Sequence, residues 1–211
     1  MDILKLILVI VVGYLLGNIS TGLLIARKVG KIDIRKVGSG NAGTTNVLRT
    51  LGWVPSLLTL LGDALKGVVA ALLGWWLCGH AGMLGAGLAA IIGHDWPVLF
   101  GFKGGKGIAT SFGVIMVINP LIGLILLASV IVILAITRYM SVASIFAAVE
   151  YSVLMIVFYM HHEEATMYII FALVFSALAL FSHRANIQRL MHHEENRLDF
   201  AKINKISRKQ K

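Results

Sequence analysis

Charge is scarce in this chain, and what there is leans to one sign. Only 14% of the 211 residues are charged, and ten acids stand against nineteen lysines and arginines. A soluble domain carries about 25% charged residues. A chain this short cannot hide a 58% hydrophobic content from water within its own core. Cys78 is the single cysteine, so an internal disulfide is excluded; beside the apolar Trp75-Trp76-Leu77 it reads as structural. There is no soluble domain, no low-complexity linker and no convincing internal repeat, so residues 1–211 read as one membrane domain.

Uncharged apolar runs of about 18 residues or more recur along the whole length, which predicts an all-α polytopic membrane protein. The first run begins almost at the N-terminus and continues past any small-residue cleavage site, so it reads as a retained span. Spans are predicted over residues 3–26, 54–77, 83–100, 107–118, 120–137, 142–160 and 165–181. The fourth is too short to cross a core of about 30 Å at about 1.5 Å per residue. The alternative is one long helix over 107–137, kinked at Asn119-Pro120.

Charge separates the two. With seven transmembrane segments, the N-terminus outside and the C-terminus cytoplasmic, seventeen of the nineteen cations face the cytoplasm, leaving Lys5 outside and Lys66 within a span. Merging the doubtful pair would put Arg138 and the basic tail outside, against the positive-inside rule. The same distribution accounts for the net charge of +9 without a nucleic-acid partner. The tail over residues 196–211 reads either as a segment lying on anionic headgroups or as a solvated anchor.

Four polar clusters fall on the predicted inner face. GSGNAGTTNVLR, residues 38–49, holds three glycines, two asparagines, a serine, two threonines and one arginine, with no acid. Free backbone N–H groups, hydroxyls and amides around a guanidinium are what an anionic oxygen cluster needs. GFKGGKG, residues 101–107, opens the fourth segment, where glycines permit close backbone approach and a helix N-terminus favours an anion. It lacks the spacing and Gly-Lys-Ser/Thr end of an ATP-binding loop. Arg138-Tyr139-Met140-Ser141 alone is an interfacial anchor. His183 and Asn186, three residues apart, share a helical face at the inner end of the last span. His183 is the candidate for proton transfer or carbonyl binding.

Within the spans, Asp63 and Lys66 are three apart and are expected to neutralise each other. Glu150 needs a partner. His94 precedes the lysine loop and is a candidate contributor to the site. The His-His-Glu-Glu runs at 161–164 and 192–195 lack the His-Glu-x-x-His spacing of a zinc hydrolase. No metal or cofactor is expected.

In this order, the clusters resemble the bacterial PlsY family, the acyl-phosphate-dependent glycerol-3-phosphate acyltransferases. GSGNAGTTNVLRTLG is similar to the family's first motif, with Ser39 and Arg49 at its essential positions. GHDWPVLFGFKGGKGIATSFG is similar to the second, whose glycine–lysine loop is assigned to glycerol-3-phosphate. HRANIQRLMHHEE is similar to the third, with His183, Asn186 and Glu195 in place and His192 where a glycine is expected. The TRYMS run resembles a further family segment and brings in Ser141.

The resemblance implies acyl transfer from acyl phosphate to glycerol-3-phosphate, giving lysophosphatidic acid and inorganic phosphate. The enzyme would be multi-pass in the bacterial inner membrane, with its active site on the cytoplasmic face. Ser39, Arg49, His183 and Asn186 are then the expected catalytic residues. Gly38, Gly40, Asn41, Thr45, Asn46, Lys103, Gly104, Gly105, Lys106 and Ser141 are expected to bind substrate. The implied partners are the two substrates, the lipid bilayer and the enzyme that supplies acyl phosphate.

Rivals fare worse. None of the seven histidines has an aspartate five positions later, which excludes the His-x-x-x-x-Asp acyltransferases. The inner face lacks the aspartate cluster of a metal-dependent phosphotransferase. An organic-anion transporter would call for paired broken helices in two similar halves, and the glycine-rich loops lie on one face only.

Overall fold

The computed structural model describes residues 2–208. All its regular elements are helical, as the apolar runs predict. By packing, the chain divides into two compact units: residues up to Val117 together with those from Asp199, and residues Ile118–Leu198. Among the described residues, five stretches are long and apolar enough to cross a membrane: Ile3–Gly30, Trp53–Phe100, Pro120–Thr137, Met140–Tyr159 and Ala165–Ser182. The predicted second and third segments both lie in Trp53–Phe100, and the predicted fourth is a shorter helix.

In the first unit, α1 (Ile3–Gly17) starts at Asp2, whose carboxylate accepts the Leu4 N–H at 3.1 Å. The unbroken helix expected over 3–26 is interrupted at Asn18. It resumes as α2 (Thr21–Ile25), which runs into a wide π turn over Ala26–Gly30. At the break the carbonyls of Gly17 and Ile19 accept from Lys66 Nζ at 3.0 and 2.8 Å. A buried ammonium needs such oxygens, and an uninterrupted helix would have kept them for itself.

After the short α3 (Thr44–Leu51) comes α4 (Trp53–Asp95), 43 residues long and non-helical at Cys78 and Gly79. Gly79 has φ 60° and ψ −148°, a conformation open essentially to glycine alone. In a straight helix, Lys66 and His94 would stand roughly 42 Å apart. Lys66 Nζ and His94 Nδ1 are 2.7 Å apart, so α4 is a hairpin of two antiparallel arms. Gly74 and Gly82 bring the backbones of those arms into contact.

The second arm stops at Asp95 rather than continuing to residue 100. Pro97 removes a donor and restricts Trp96, and Val98–Phe100 is a single 3-10 turn. Next is α5 (Ile108–Ile118), 11 residues and so about 16 Å long. Gly113 of α5 packs against the Ala64 backbone, and Gly67 of α4 against that of Thr110.

The tail, left open between headgroup and solvent, forms α10 (Phe200–Arg208), docked on its own unit. Trp53 stacks on Phe200 with ring centroids 6.2 Å apart and donates from Nε1 to Asn204 at 2.8 Å. Ile203 is buried there, while Lys202, Lys205 and Arg208 are exposed. Lys209 and Lys211 lie outside the described residues.

The second unit holds α6 (Pro120–Thr137), α7 (Met140–Tyr159), α8 (Ala165–Ser182) and α9 (Arg184–Met191). Asn119 caps α6, accepting the Ile122 N–H at 3.2 Å, and Pro120 occupies the first turn, so a new helix starts here. Glu150 finds its partner on α6: Ser129 Oγ donates to Oε1 at 2.8 Å. Ser152 and Ser176, 2.7 Å apart, join α7 to α8, and the Tyr151 ring stands edge-on to Phe171 and Phe175.

Candidate functional site

The first polar run is an ordered loop that leads into α3, and Asn46 organises it. This side chain is 1% exposed. Its Nδ2 donates to the carbonyls of Ile34, Val37 and Asn41 at 2.9 to 3.0 Å, and its Oδ1 accepts the Ser39 N–H at 2.9 Å. The whole carboxamide is therefore engaged by the loop. Asn46, expected to bind substrate, is a framework residue instead. Gly38 is glycine for the same reason: φ is 61°, and a Cβ would overlap Asn46 Oδ1.

Asn41 turns the chain into α3 by accepting the Gly43 N–H at 2.9 Å. Ser39 and Gly40 are exposed on this frame, Asn41 and Thr45 are half-buried, and Arg49 stands half-buried in the last turn of α3.

The loop sits on an apolar base of Leu23, Ala26, Ile34, Ala42, Val47 and Leu51, with Phe100 packed against it. Phe100 belongs to the segment leading into the glycine–lysine loop, so the first and second motifs meet here. Two hydrogen bonds join them. Ala42 N–H donates to the Gly104 carbonyl at 3.4 Å, and Arg35 Nη1 to the Phe100 carbonyl at 3.0 Å. Arg35 is itself held by Asp33 in a two-point pair of 3.0 and 2.8 Å. That hydrogen-bonded guanidinium holds the Asp33 carboxyl well below its ordinary range, at about 2. Sequence reasoning missed Asp33 and Arg35; an acid two residues before an arginine has no pattern of its own.

In the second loop, the glycines do a different job from the one expected. Gly104 N–H donates to the Asp95 carbonyl at 3.2 Å and Gly105 N–H to the His94 carbonyl at 3.0 Å. These donors are therefore engaged by the backbone, not held open for an oxyanion. A Cβ on Gly104 would overlap the His94 carbonyl, and one on Gly105 the His94 ring at Nε2. Lys103 is exposed and Lys106 half-buried on either side of the pair.

In the second unit, Glu195 gathers the third motif. Its Oε1 accepts from Ser141 Oγ at 3.1 Å and Asn186 Nδ2 at 2.9 Å, and its Oε2 from Arg189 Nε at 2.9 Å. Glu195 is 8% exposed, and Ser141 and Asn186 are buried with it. His183 sits at the junction of α8 and α9 and is also buried. Its Nδ1 lies 2.8 Å from the Ala179 carbonyl, which can only accept. The proton of the neutral ring is thus fixed on Nδ1 and the lone pair on Nε2. A backbone carbonyl thus orients the ring. Among the described residues, no three His, Cys, Asp or Glu side chains converge as a metal site would require.

A family model described as glycerol-3-phosphate acyltransferase matches residues 7–193. The chain belongs to this family. It is 44% identical over 192 residues to a glycerol-3-phosphate acyltransferase of Thermoanaerobacter pseudethanolicus, covering 91% of this chain and 95% of that one. A second enzyme of that name, from Clostridioides difficile, is 44% identical over 204 residues, covering 94% and 98%.

Among solved structures, the fold is similar to crystal structures of PlsY, an integral membrane glycerol 3-phosphate acyltransferase. The glycerol 3-phosphate form gives a TM-score of 0.85 at 36% identity, over 94% of this chain and 98% of that one. The lysophosphatidic acid form gives 0.83 at 35%, over 94% and 97%. The chain is thus a multi-pass membrane acyltransferase of the PlsY family.

Proposed function

We propose that this enzyme transfers a fatty acyl group from acyl phosphate to a hydroxyl of glycerol-3-phosphate, giving 1-acyl-glycerol-3-phosphate and inorganic phosphate. The hydroxyl oxygen forms an ester bond to the acyl carbon as the bond from that carbon to the phosphate oxygen breaks. The hydroxyl proton ends on the departing phosphate. An acyl phosphate is a mixed anhydride with a good leaving group, so positioning and charge neutralisation supply most of the rate.

The observation that most supports this reading is the joining of the first two motifs through Ala42 and Gly104. In this reading Arg49, Lys103 and Lys106 are the cations that bind the phosphates. Ser39, Gly40, Asn41 and Thr45 orient them or donate to the developing oxyanion, on a frame made by Gly38, Asn46, Gly104 and Gly105. Asn186, oriented by Glu195, and His183 take part from the third motif, and Ser141 shares the Glu195 carboxylate.

The proton has two routes: His183 Nε2, or a phosphate oxygen of a substrate. We further propose seven membrane segments with the N-terminus outside and the C-terminus cytoplasmic, in a bacterial inner membrane. The two arms of α4 count separately and α5 is a partial segment. The site then opens where both substrates are made, within reach of an enzyme that supplies acyl phosphate.

Purified protein in liposomes tests the activity. Acyl phosphate and glycerol-3-phosphate should be consumed one for one, with release of lysophosphatidic acid and phosphate, and neither acyl-CoA nor acyl carrier protein should substitute. Glycerol-3-phosphate flux across the liposome without acyl transfer would sink the proposal.

A further inference from the structure

Outside the three loops, the first unit holds a buried ionic centre that the motif roles leave unexplained. Lys66, on the first arm of α4, is 4% exposed at its side chain, and Asp63 is 1% exposed. Four acceptors surround Lys66 Nζ: Gly17 O at 3.0 Å, Ile19 O at 2.8 Å, Asp63 Oδ1 at 3.0 Å and His94 Nδ1 at 2.7 Å. An ammonium has three protons and no lone pair, so the ring nitrogen facing it must be the acceptor. The His94 proton therefore sits on Nε2, the atom against which Gly105 packs.

Other residues hold the rest of that segment. Tyr14 OH donates to the Trp96 carbonyl at 2.8 Å, and Leu99 N–H to Asn18 Oδ1 at 3.2 Å. His94 touches the glycine pair with both ring and backbone, since its carbonyl also takes the Gly105 N–H.

We propose that Lys66, fixed by Asp63 and by the carbonyls at the α1 break, is a positioning residue that acts through His94 on the Gly104–Gly105 turn and so sets the fit of the glycine–lysine loop to glycerol-3-phosphate. The inference rests on the reading of that loop given under Proposed function. A buried charge pair in a span is costly unless each member is bonded. Here Lys66 is bonded by two carbonyls and paired with Asp63 at 3.0 Å, Asp63 lies 3.5 Å from the His94 ring, and the fourth partner of the cation is that histidine beneath the loop. Displacing that ring shifts Lys103 and Lys106 relative to the phosphate, and small misplacements of binding groups are felt strongly.

The paired variant Asp63→Asn/Lys66→Met removes both charges at once and avoids stranding either. In the reconstituted enzyme it should raise KM for glycerol-3-phosphate about tenfold, the loss of one hydrogen-bonded contact to a charged group. KM for acyl phosphate should hold and kcat should change by less than about threefold. A purely structural role would instead lower the active fraction, seen in kcat alone, and that result overturns the proposal.

A second cycle keeps both members of the ion pair and changes only what lies between it and the loop. Gly105→Ala and His94→Ala should each raise KM for glycerol-3-phosphate, and the double variant should be no worse than the poorer single, because the smaller side chain removes the collision. Independent, multiplying effects would overturn it. Should the wild type use no acyl phosphate, the donor assignment fails while the same shifts remain readable as glycerol-3-phosphate affinity by calorimetry. Wild-type protein that does not bind glycerol-3-phosphate would end both.

Discussion

The side-chain oxygen of Asn46 accepts the backbone N–H of Ser39 at 2.9 Å, across seven residues of a glycine-rich run. Through that bond a buried amide dictates where an exposed hydroxyl stands. Asn46→Ala should lower stability by about 2 kcal/mol, since it strands buried carbonyls as well as the Ser39 N–H. Asn46→Asp should be nearly as harmful: it keeps the acceptor for Ser39 but loses the donor to Ile34, Val37 and Asn41. Thermal unfolding in detergent and kcat of each variant, with Ser39→Ala for comparison, check this; Ser39→Ala should lose activity with little change in Tm.

Arg49, Lys103 and Lys106 carry the phosphate assignment. Substituted singly by methionine, each should raise KM for one substrate or lower kcat by about tenfold or more, the worth of a charge-assisted hydrogen bond. Michaelis constants measured for both substrates show which cation meets which phosphate. Three variants with unchanged constants would refute the assignment.

His183 offers Nε2 as its acceptor, because Nδ1 is committed to the Ala179 carbonyl. If this nitrogen takes the hydroxyl proton, the pH–rate profile of His183→Ala should lose an ionisation near neutrality while binding holds. If a substrate phosphate takes it, the profile should keep its shape and only its height should fall.

Asp33 is held at about 2, against 3.8 for a free carboxyl, chiefly by its hydrogen bonds from Arg35. A carboxyl depressed on folding stabilises the fold above its unfolded pKa and loses that contribution as pH falls toward its folded one. The wild type should therefore be more stable than Asp33→Asn at neutral pH. The gap should be constant above about pH 5 and close between about pH 4 and 2. Tm against pH for the two proteins provides the measurement.

Helix type and approximate position were legible for the long apolar runs, because a hydrocarbon solvent leaves helices as the way to satisfy the backbone of such a run. Residues 120–137 are helical to the residue, since Asn119-Pro120 marks a start and the apolar run ends at Arg138. That residues 38–49 and 101–107 are polar loops between helices was legible too, from the density of glycine, donors and cations. Which donors remain available was not. Asn46, Gly104 and Gly105 read as ligands in a list of residue types, and tertiary hydrogen bonds assign them to the framework.

The sequence by itself determined the class, the helices and the three motifs, for these depend on local composition and on contacts between neighbours. The reversal near Gly79 was legible as the gap between the runs 54–77 and 83–100, but only the tertiary structure decided that α1 breaks at Asn18 and that Lys66 meets His94 across that fold. A buried ammonium needs oxygen and nitrogen acceptors from wherever the fold supplies them. Those partners, 28 and 49 residues away, leave no trace in any local pattern.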